Sequence, residues 1–429
     1  MIKIKMTNSN FEREPLAAPF GFKGNYVKEL WQTVVSLEDE NEQRGIGLGV
    51  QSILWSDSQV FSTYGEMGGN SLMFLMTQFA LKKAQGISFE SPIELLDQLL
   101  PLTHEYGKTI TGNPQLRKTF ALNALTPLDH AAWQLYSRQN GIYDFDKMIP
   151  EDVRPALNHR HQKLAAIPLI TYDVSTDMIA KMLEQGYFFL KIKIGSDPEK
   201  DGDMEKMLEW DKKRLSAIHS VVKDFTIPYT NNHKIPYYLD ANGRYDSKDR
   251  LLKFLDHADK IGAIDQIIIL EEPFSEEYDI DVSDIPVCLA ADESAHSEVE
   301  ALECIQRGYG AIALKPIAKT MSVSLKIAKL AYEKGIPCFC ADLTVNPVMV
   351  DWNKNIGARL APLPGMNIGV LESNGSQNYT NWEAMHSYHP FSTEKWTKMS
   401  NGLFELDQSF YECSGGSFHT SDHYLGLVK

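Results

Sequence analysis

The chain has 429 residues, too many for one small domain, so two or three domains are expected. Hydrophobic residues at 43% and aromatic residues at 10% supply a large core of ordinary globular kind. Against 57 acidic side chains there are only 42 basic ones, a formal charge of −15, and no basic patch offsets it, which argues against nucleic acid or an anionic membrane as partner.

Ile2, Ile4 and Met6 alternate with Lys3 and Lys5, the pattern of a half-buried strand. Pro15–Gly24, with two prolines and two glycines, reads as a loop, and strand-like runs follow near Leu30–Leu37 and Gly45–Ser56. Helical stretches come next, near Ser71–Ala84, Pro92–Tyr106 and Leu116–Asn140. Strands followed by helices give an α+β unit with one antiparallel sheet.

From about Ile167 the texture changes. Short apolar strands at Ile167–Tyr172, Phe188–Ile194, Tyr237–Asp240, Gln266–Glu271, Val287–Ala291, Ala311–Lys315, Pro337–Ala341 and Asn367–Leu371 alternate with amphipathic helical segments. Among those segments are Thr176–Gln185, Asp201–Asp224, Ser247–Lys260, Ser297–Arg307, Ser322–Lys334 and Pro347–Leu360. Parallel neighbours need crossovers, so eight such strands predict a (β/α) barrel; an open doubly wound sheet is the alternative, without a GxGxxG turn to support it. Residues 1–165 form the first domain and 166–375 the barrel, and about 376–429 return to complete the first. The five cysteines form no CxxC pair and sit mostly in apolar runs, as buried free thiols in a reducing compartment would. Met1–Phe20 lacks an apolar signal core and no run reaches membrane-spanning length, so a cytoplasmic protein is expected.

The chemistry is concentrated at strand ends. Lys191 and Lys193 lie two apart on a strand and point the same way, and their repulsion is expected to push one toward the neutral form. Asp240, Glu271 and Asp292 each end one of three consecutive strands, so they converge at the C-terminal mouth where barrel active sites lie. Three facing carboxylates require a cation, and oxygen ligands with open positions suit magnesium, with manganese as substitute. Lys315 closes the sixth strand, across the mouth from the second. A cation-bound substrate would therefore have a lysine on each face.

In this ordered set the chain resembles the enolase superfamily, in its muconate-lactonizing-enzyme subgroup, also called mandelate racemase/muconate lactonizing enzyme-like. The family's Lys-x-Lys, Asp-x-Asn, Glu-x-Pro, Asp-Glu-Ser and Lys signatures match Lys191/Lys193, Asp240/Asn242, Glu271/Pro273, Asp292/Glu293/Ser294 and Lys315 in order. Leu128–Trp133 resembles part of a capping-domain helix. The resemblance implies a (β/α)7β TIM-like barrel with an α+β capping domain and magnesium-dependent abstraction of the proton alpha to a carboxylate through an enediolate. It implies Asp240, Glu271 and Asp292 as metal ligands and Lys193 and Lys315 as acid/bases on opposite faces. Lys191 would tune Lys193 and stabilise the enolate. Glu272 and Glu293 are expected to alternate away from the ligand face. Two features depart from the family: Lys319-Thr320 runs into Met321-Ser322 rather than Gly-Gly, and no histidine base stands at the seventh strand.

The resemblance implies that specificity comes from the seventh and eighth strand ends and two capping-domain loops, which by position are Asp342, Thr344, Glu372, Ser373 and Asn374, with loops near Pro19–Gly24 and Gly47–Trp55. Acids at 342 and 372 favour a substrate ammonium, hence an amino-acid derivative or dipeptide. Two opposed lysines make racemisation or epimerisation the simplest reaction of this small carboxylate; cycloisomerisation, syn-dehydration and a non-catalytic binding barrel are the alternatives. Family members are often symmetric oligomers, and no stretch here identifies an interface.

Overall fold

The structure, a computed structural model, describes residues 1–22 and 25–429. Strands β1 (Ile2–Phe22), β2 (Asn25–Asp39) and β3 (Arg44–Gln51) form an antiparallel sheet, with the two-residue strand Ser88–Phe89 on its far edge. The loop expected over Pro15–Gly24 is instead a continuation of β1 as far as Phe22; Lys23 and Gly24 lie outside the described residues. Pro15 pairs with Glu29 and Phe20 with Val27, and a register slip between them absorbs the prolines. Prolines are tolerated there because this half of β1 is a sheet edge, where no ladder N–H is needed.

Three helices pack on the sheet: Ser58–Ala84, Pro92–Thr111 and Lys118–Asn140. The first begins at Ser58 rather than near Ser71, capped by Asp57, whose carboxylate accepts from the Gln59 and Val60 amides, and it kinks at Gly65. Glycines 65, 68 and 69 hid this first half from a propensity reading. Strand β3 ends at Gln51, short of the expected Ser56, and turns into the one-turn helix Ile53–Ser56. It lies directly on the helix Lys118–Asn140: a Cβ on Gly45 would come within 2.0 Å of the Ala131 carbonyl, and one on Gly47 within 1.9 Å of the Pro127 carbonyl. This contact delivers the segment after β3, including Trp55, to the barrel mouth.

The second sheet is a closed parallel barrel. Its first strand starts earlier than expected and is divided at Pro168. Lys163–Ile167 pairs with the eighth strand, Gly369–Glu372, whereas Leu169–Ile170 pairs with the second, Leu190–Lys193. The third to seventh strands are Tyr237–Asp240, Ile267–Glu271, Leu289–Ala291, Ala311–Leu314 and Cys338–Cys340. Helices follow each strand except the fourth, after which residues 272–288 cross to the fifth without one. The chain is thus an α/β protein, a (β/α)7β barrel with an α+β capping domain.

Period-two alternation explains what the barrel holds. Leu190, Ile192, Leu239 and Leu270 join the outer core, while Ala165, Ile167, Tyr238, Ile269, Ala290, Ala313 and Phe339 fill the interior. Continuing the inward series along each strand reaches Lys191 and Lys193, Asp240, Glu271, Asp292, Lys315 and Glu372. The apolar plug therefore floors a polar mouth.

The C-terminal segment touches both units. Leu403 pairs antiparallel with Ala165 at the first barrel strand, and the carbonyls of Leu427 and Val428 accept from Asn10 and Asn8 of β1. All five cysteines are free thiols. Among the described residues, no helix is long and apolar enough to cross a membrane.

Candidate active site

Lys191 is buried at the centre of the mouth. Its Nζ stands 3.0 Å from Asp240 Oδ2, 3.1 Å from Glu372 Oε2 and 3.4 Å from Glu271 Oε1, and donates to Tyr238 Oη at 3.0 Å. Burial works against its charge, but Asp240, Glu271, Glu372 and Asp292 outweigh burial and hold its pKa well above the ordinary lysine value. Mutual repulsion within the lysine pair, the expected lever toward neutrality, is overridden at Lys191 by these acids. Lys193, one turn of the pleat higher, donates to Asp240 Oδ2 at 2.7 Å and to Asn242 Oδ1 at 2.5 Å.

Of the three expected ligands, Glu271 and Asp292 come together, and the third member of their group is Glu293. One ligand oxygen from each lies within 4.8 Å of the others, and all three residues are buried. The expectation that Glu293 points away fails because the strand ends at Ala291. A turn closed by the Ala295 amide on the Asp292 carbonyl then breaks the alternation. Glu272 does face elsewhere: its carboxylate accepts from the Asp292 amide at 2.8 Å and from the Ser294 hydroxyl. Asp240 sits beside the group with its Oδ2 held by the two lysines and its Oδ1 accepting from the Asn242 amide.

The donor set fits a hard divalent cation. It is made of carboxylate oxygens, and Glu293 Oε2 is buried with no hydrogen-bond partner among the described residues, which is costly unless a cation compensates. Burial, then repulsion by Asp292, pushes Glu271 up to about 8 despite Lys191. Asp292 is held below the usual carboxylate range, since Lys315 and Lys319 together outweigh its burial.

Lys315, from the sixth strand, hydrogen-bonds Asp292 Oδ2, and the Trp55 ring covers its Nζ at 4.4 Å. Asp292 raises the pKa of Lys315 against the pull of burial. Lys319, one helical turn further, was not singled out from the sequence. It lies 2.9 Å from Asp292 Oδ1, and donates to the carbonyls of Asp292 and Ala295. The turn that replaces Gly-Gly is supported from the capping domain: Asp129 accepts from the amides of Met321, at 2.9 Å, and Ser322, at 3.3 Å.

The specificity positions also line this mouth. Asp342 Oδ2 accepts from the Asn374 amide at 2.8 Å while its Oδ1 has no hydrogen-bond partner among the described residues, and burial followed by repulsion from Glu372 pushes its carboxyl up to about 7. Glu372 is engaged by Lys191 and by the Asp342 amide. Thr344 donates to Asn374 Oδ1 at 2.7 Å. Ser373, between Glu372 and Asn374, lines a different surface cleft. Asn242, Glu272 and Thr344, past the ends of barrel strands, and Thr320, which caps the helix after the sixth strand, carry positive φ, and at β-branched Thr320 and Thr344 this is real strain. One cavity is lined by Lys191, Lys193, Lys315, Asp240, Asn242, Glu271, Asp342, Thr344 and Glu372, and walled by Phe20, Val27, Leu30, Leu54 and Trp55 of the capping domain.

Residues 175–362 match the family model for the enolase C-terminal domain-like family. No curated protein matches the chain. Among solved structures, a mandelate racemase/muconate lactonizing protein from Herpetosiphon aurantiacus superposes with a TM-score of 0.66 at 17% identity, covering 94% of this chain and 96% of that one. A dipeptide epimerase from Enterococcus faecalis V583, complexed with Mg and the dipeptide L-Leu-L-Tyr, gives a TM-score of 0.63 at 18% identity over 88% and 92% of the two chains. An N-succinyl Arg/Lys racemase from Bacillus cereus ATCC 14579 gives a TM-score of 0.62 at 18% identity over 88% and 89%. Residues 175–362 are therefore similar to the enolase C-terminal domain-like family, and the chain has the fold of the solved mandelate racemase/muconate lactonizing enzyme structures.

Proposed function

We propose that the protein is a magnesium-dependent racemase or epimerase that moves the proton alpha to the carboxylate of an amino-acid derivative or dipeptide. The observation that carries this reading is that lysines of the second and sixth strands line one cavity, each in contact with a carboxylate of the acid set. In a closed barrel of eight strands those two strands stand opposite each other. A divalent cation held by Asp240, Glu271 and Asp292 would bind the substrate carboxylate and offset the negative charge that builds on it.

The protein's own groups do the rest. Lys193, aimed by Asp240 and Asn242, takes the alpha proton on one face, and Lys315 returns one on the other; the reverse direction exchanges the roles. Lys191 adds a fixed positive charge beside the reacting carboxylate, anchored by Tyr238. Asp342, with its unpartnered Oδ1, is the group that receives a substrate ammonium, since Glu372 is already engaged by Lys191. The apolar wall from Phe20 to Trp55 excludes water and accepts an uncharged side chain. Solved dipeptide epimerases and an N-succinyl amino-acid racemase of the same fold support this substrate class. Free cysteines suit a reducing, cytoplasmic setting.

The test is incubation of L-dipeptides and N-acyl amino acids with the protein and Mg2+ in heavy water, read by chiral chromatography and proton NMR. Inversion with deuterium at the alpha carbon is the expected result. Exchange without inversion would point to elimination or cyclisation, and no exchange with any acid would favour a binding barrel.

A further inference from the structure

We infer that Glu293 is a further ligand of the active-site cation, alongside Glu271 and Asp292. The inference rests on the proposed cation-dependent reading of the mouth and adds a residue to it. Two independent observations carry it. First, an oxygen of Glu293 lies within 4.8 Å of ligand oxygens of Glu271 and Asp292. Second, Glu293 is only 3% exposed, yet its Oε2 is buried with no hydrogen-bond partner among the described residues.

The neighbouring acids are differently provided for. Asp292 has Lys315 and Lys319, Glu271 has Lys191, and Glu272 is consumed by the amide of Asp292 and the hydroxyl of Ser294. Glu293 Oε1 accepts from Asn242 Nδ2 at 3.1 Å, which aims the carboxylate and leaves the second oxygen for a ligand. A buried carboxylate oxygen without a donor is destabilising, and a hard cation is the partner that an all-oxygen group selects. Asn242 also accepts from Lys193, so the same amide holds the base and the added ligand in register.

The experiment is titration of the full-length protein with Mn2+, reading free ion by electron paramagnetic resonance, for wild type, Glu293→Gln and Glu293→Asp. Circular dichroism and Tm without added metal establish that each variant is folded. Glu293→Gln is expected to weaken Mn2+ binding at least about tenfold, the scale for groups that act on a metal site. Glu293→Gln binding within twofold of wild type would overturn the inference while leaving the cation reading intact. Should Glu293→Gln fail to fold, Glu293→Asp, which keeps the charge and retracts it by one methylene, decides by the same twofold criterion. Wild-type protein that binds no Mn2+ would overturn both readings.

Discussion

Two buried charge clusters in this molecule invite opposite conclusions. One lies beneath the C-terminal segment. Lys354 donates to Asp351 Oδ1 and, at 2.6 Å, to the Trp396 carbonyl; His389 Nε2 stands 3.1 Å from Asp351 Oδ2; the Phe404 ring covers the ammonium at 4.1 Å. His389 Nδ1 accepts from the Phe391 amide at 3.0 Å, while its Nε2 makes no hydrogen bond among the described residues. Here one carboxylate, Asp351, faces one ammonium, Lys354, so the pair leaves no excess of acid. The other cluster, at the barrel mouth, sets Asp240, Glu271, Asp292, Glu293, Asp342 and Glu372 against Lys191, Lys193, Lys315 and Lys319, with oxygens of Glu293 and Asp342 left unpartnered. Buried charge alone does not mark a functional site. An excess of acid with unpartnered oxygens at a cavity does.

The largest effect separating the two clusters is on chemistry. Lys193→Ala should abolish inversion, by about 10²–10⁴-fold as general-base removal does, while Tm stays within a few degrees of wild type. Lys354→Ala should do the reverse. Stranding Asp351 in the interior is expected to lower stability by about 3–5 kcal/mol in urea unfolding, with the turnover of the folded fraction unchanged. Replacing Asp351 and Lys354 together by Leu and Met should restore much of that loss, because a buried pair exchanged for apolar packing is often neutral.

A smaller effect is expected where the capping domain meets the turn after Lys315. Burial pushes the Asp129 carboxyl up to about 7, against its hydrogen bonds from Ser322 and Met321. A carboxyl whose folded pKa exceeds its unfolded value of about 3.9 favours the folded state fully below that value and loses the advantage as pH rises through 7. Wild-type stability should therefore fall between pH 5 and pH 8 through this group, by a few kcal/mol at about 1.4 kcal/mol per pKa unit. In Asp129→Asn the difference between urea unfolding at the two pH values should shrink. An unchanged difference would show that Asp129 is not the group responsible.

Much of this was legible in the chain because strands are short and strictly alternating. An acid or lysine that continues the inward series past Tyr238, Ile269, Ala290 or Ala313 must face the mouth, so Asp240, Glu271, Asp292 and Lys315 could be found without coordinates. Legibility stops where the strand stops. Glu293 lies in a turn beyond the strand end at Ala291, so alternation carried on past that end turns it the wrong way. Lys319 returns to Asp292 only because a helical turn, closed by its amide on the Lys315 carbonyl, stacks it there. Trp55 reaches Lys315 across the boundary between capping domain and barrel, a contact that no local pattern encodes. The length of β1 was hidden by prolines that only an edge strand tolerates.

The central claim is that one substrate lies between two opposed lysines, each serving one face. Alpha-proton exchange in heavy water, measured by NMR on each epimer separately with Lys193→Ala and with Lys315→Ala, tests it most directly. Each variant should exchange one epimer only, the two variants should choose opposite epimers, and neither should invert. Inversion by either variant at the wild-type rate, or the same epimer preference in both, would contradict the account.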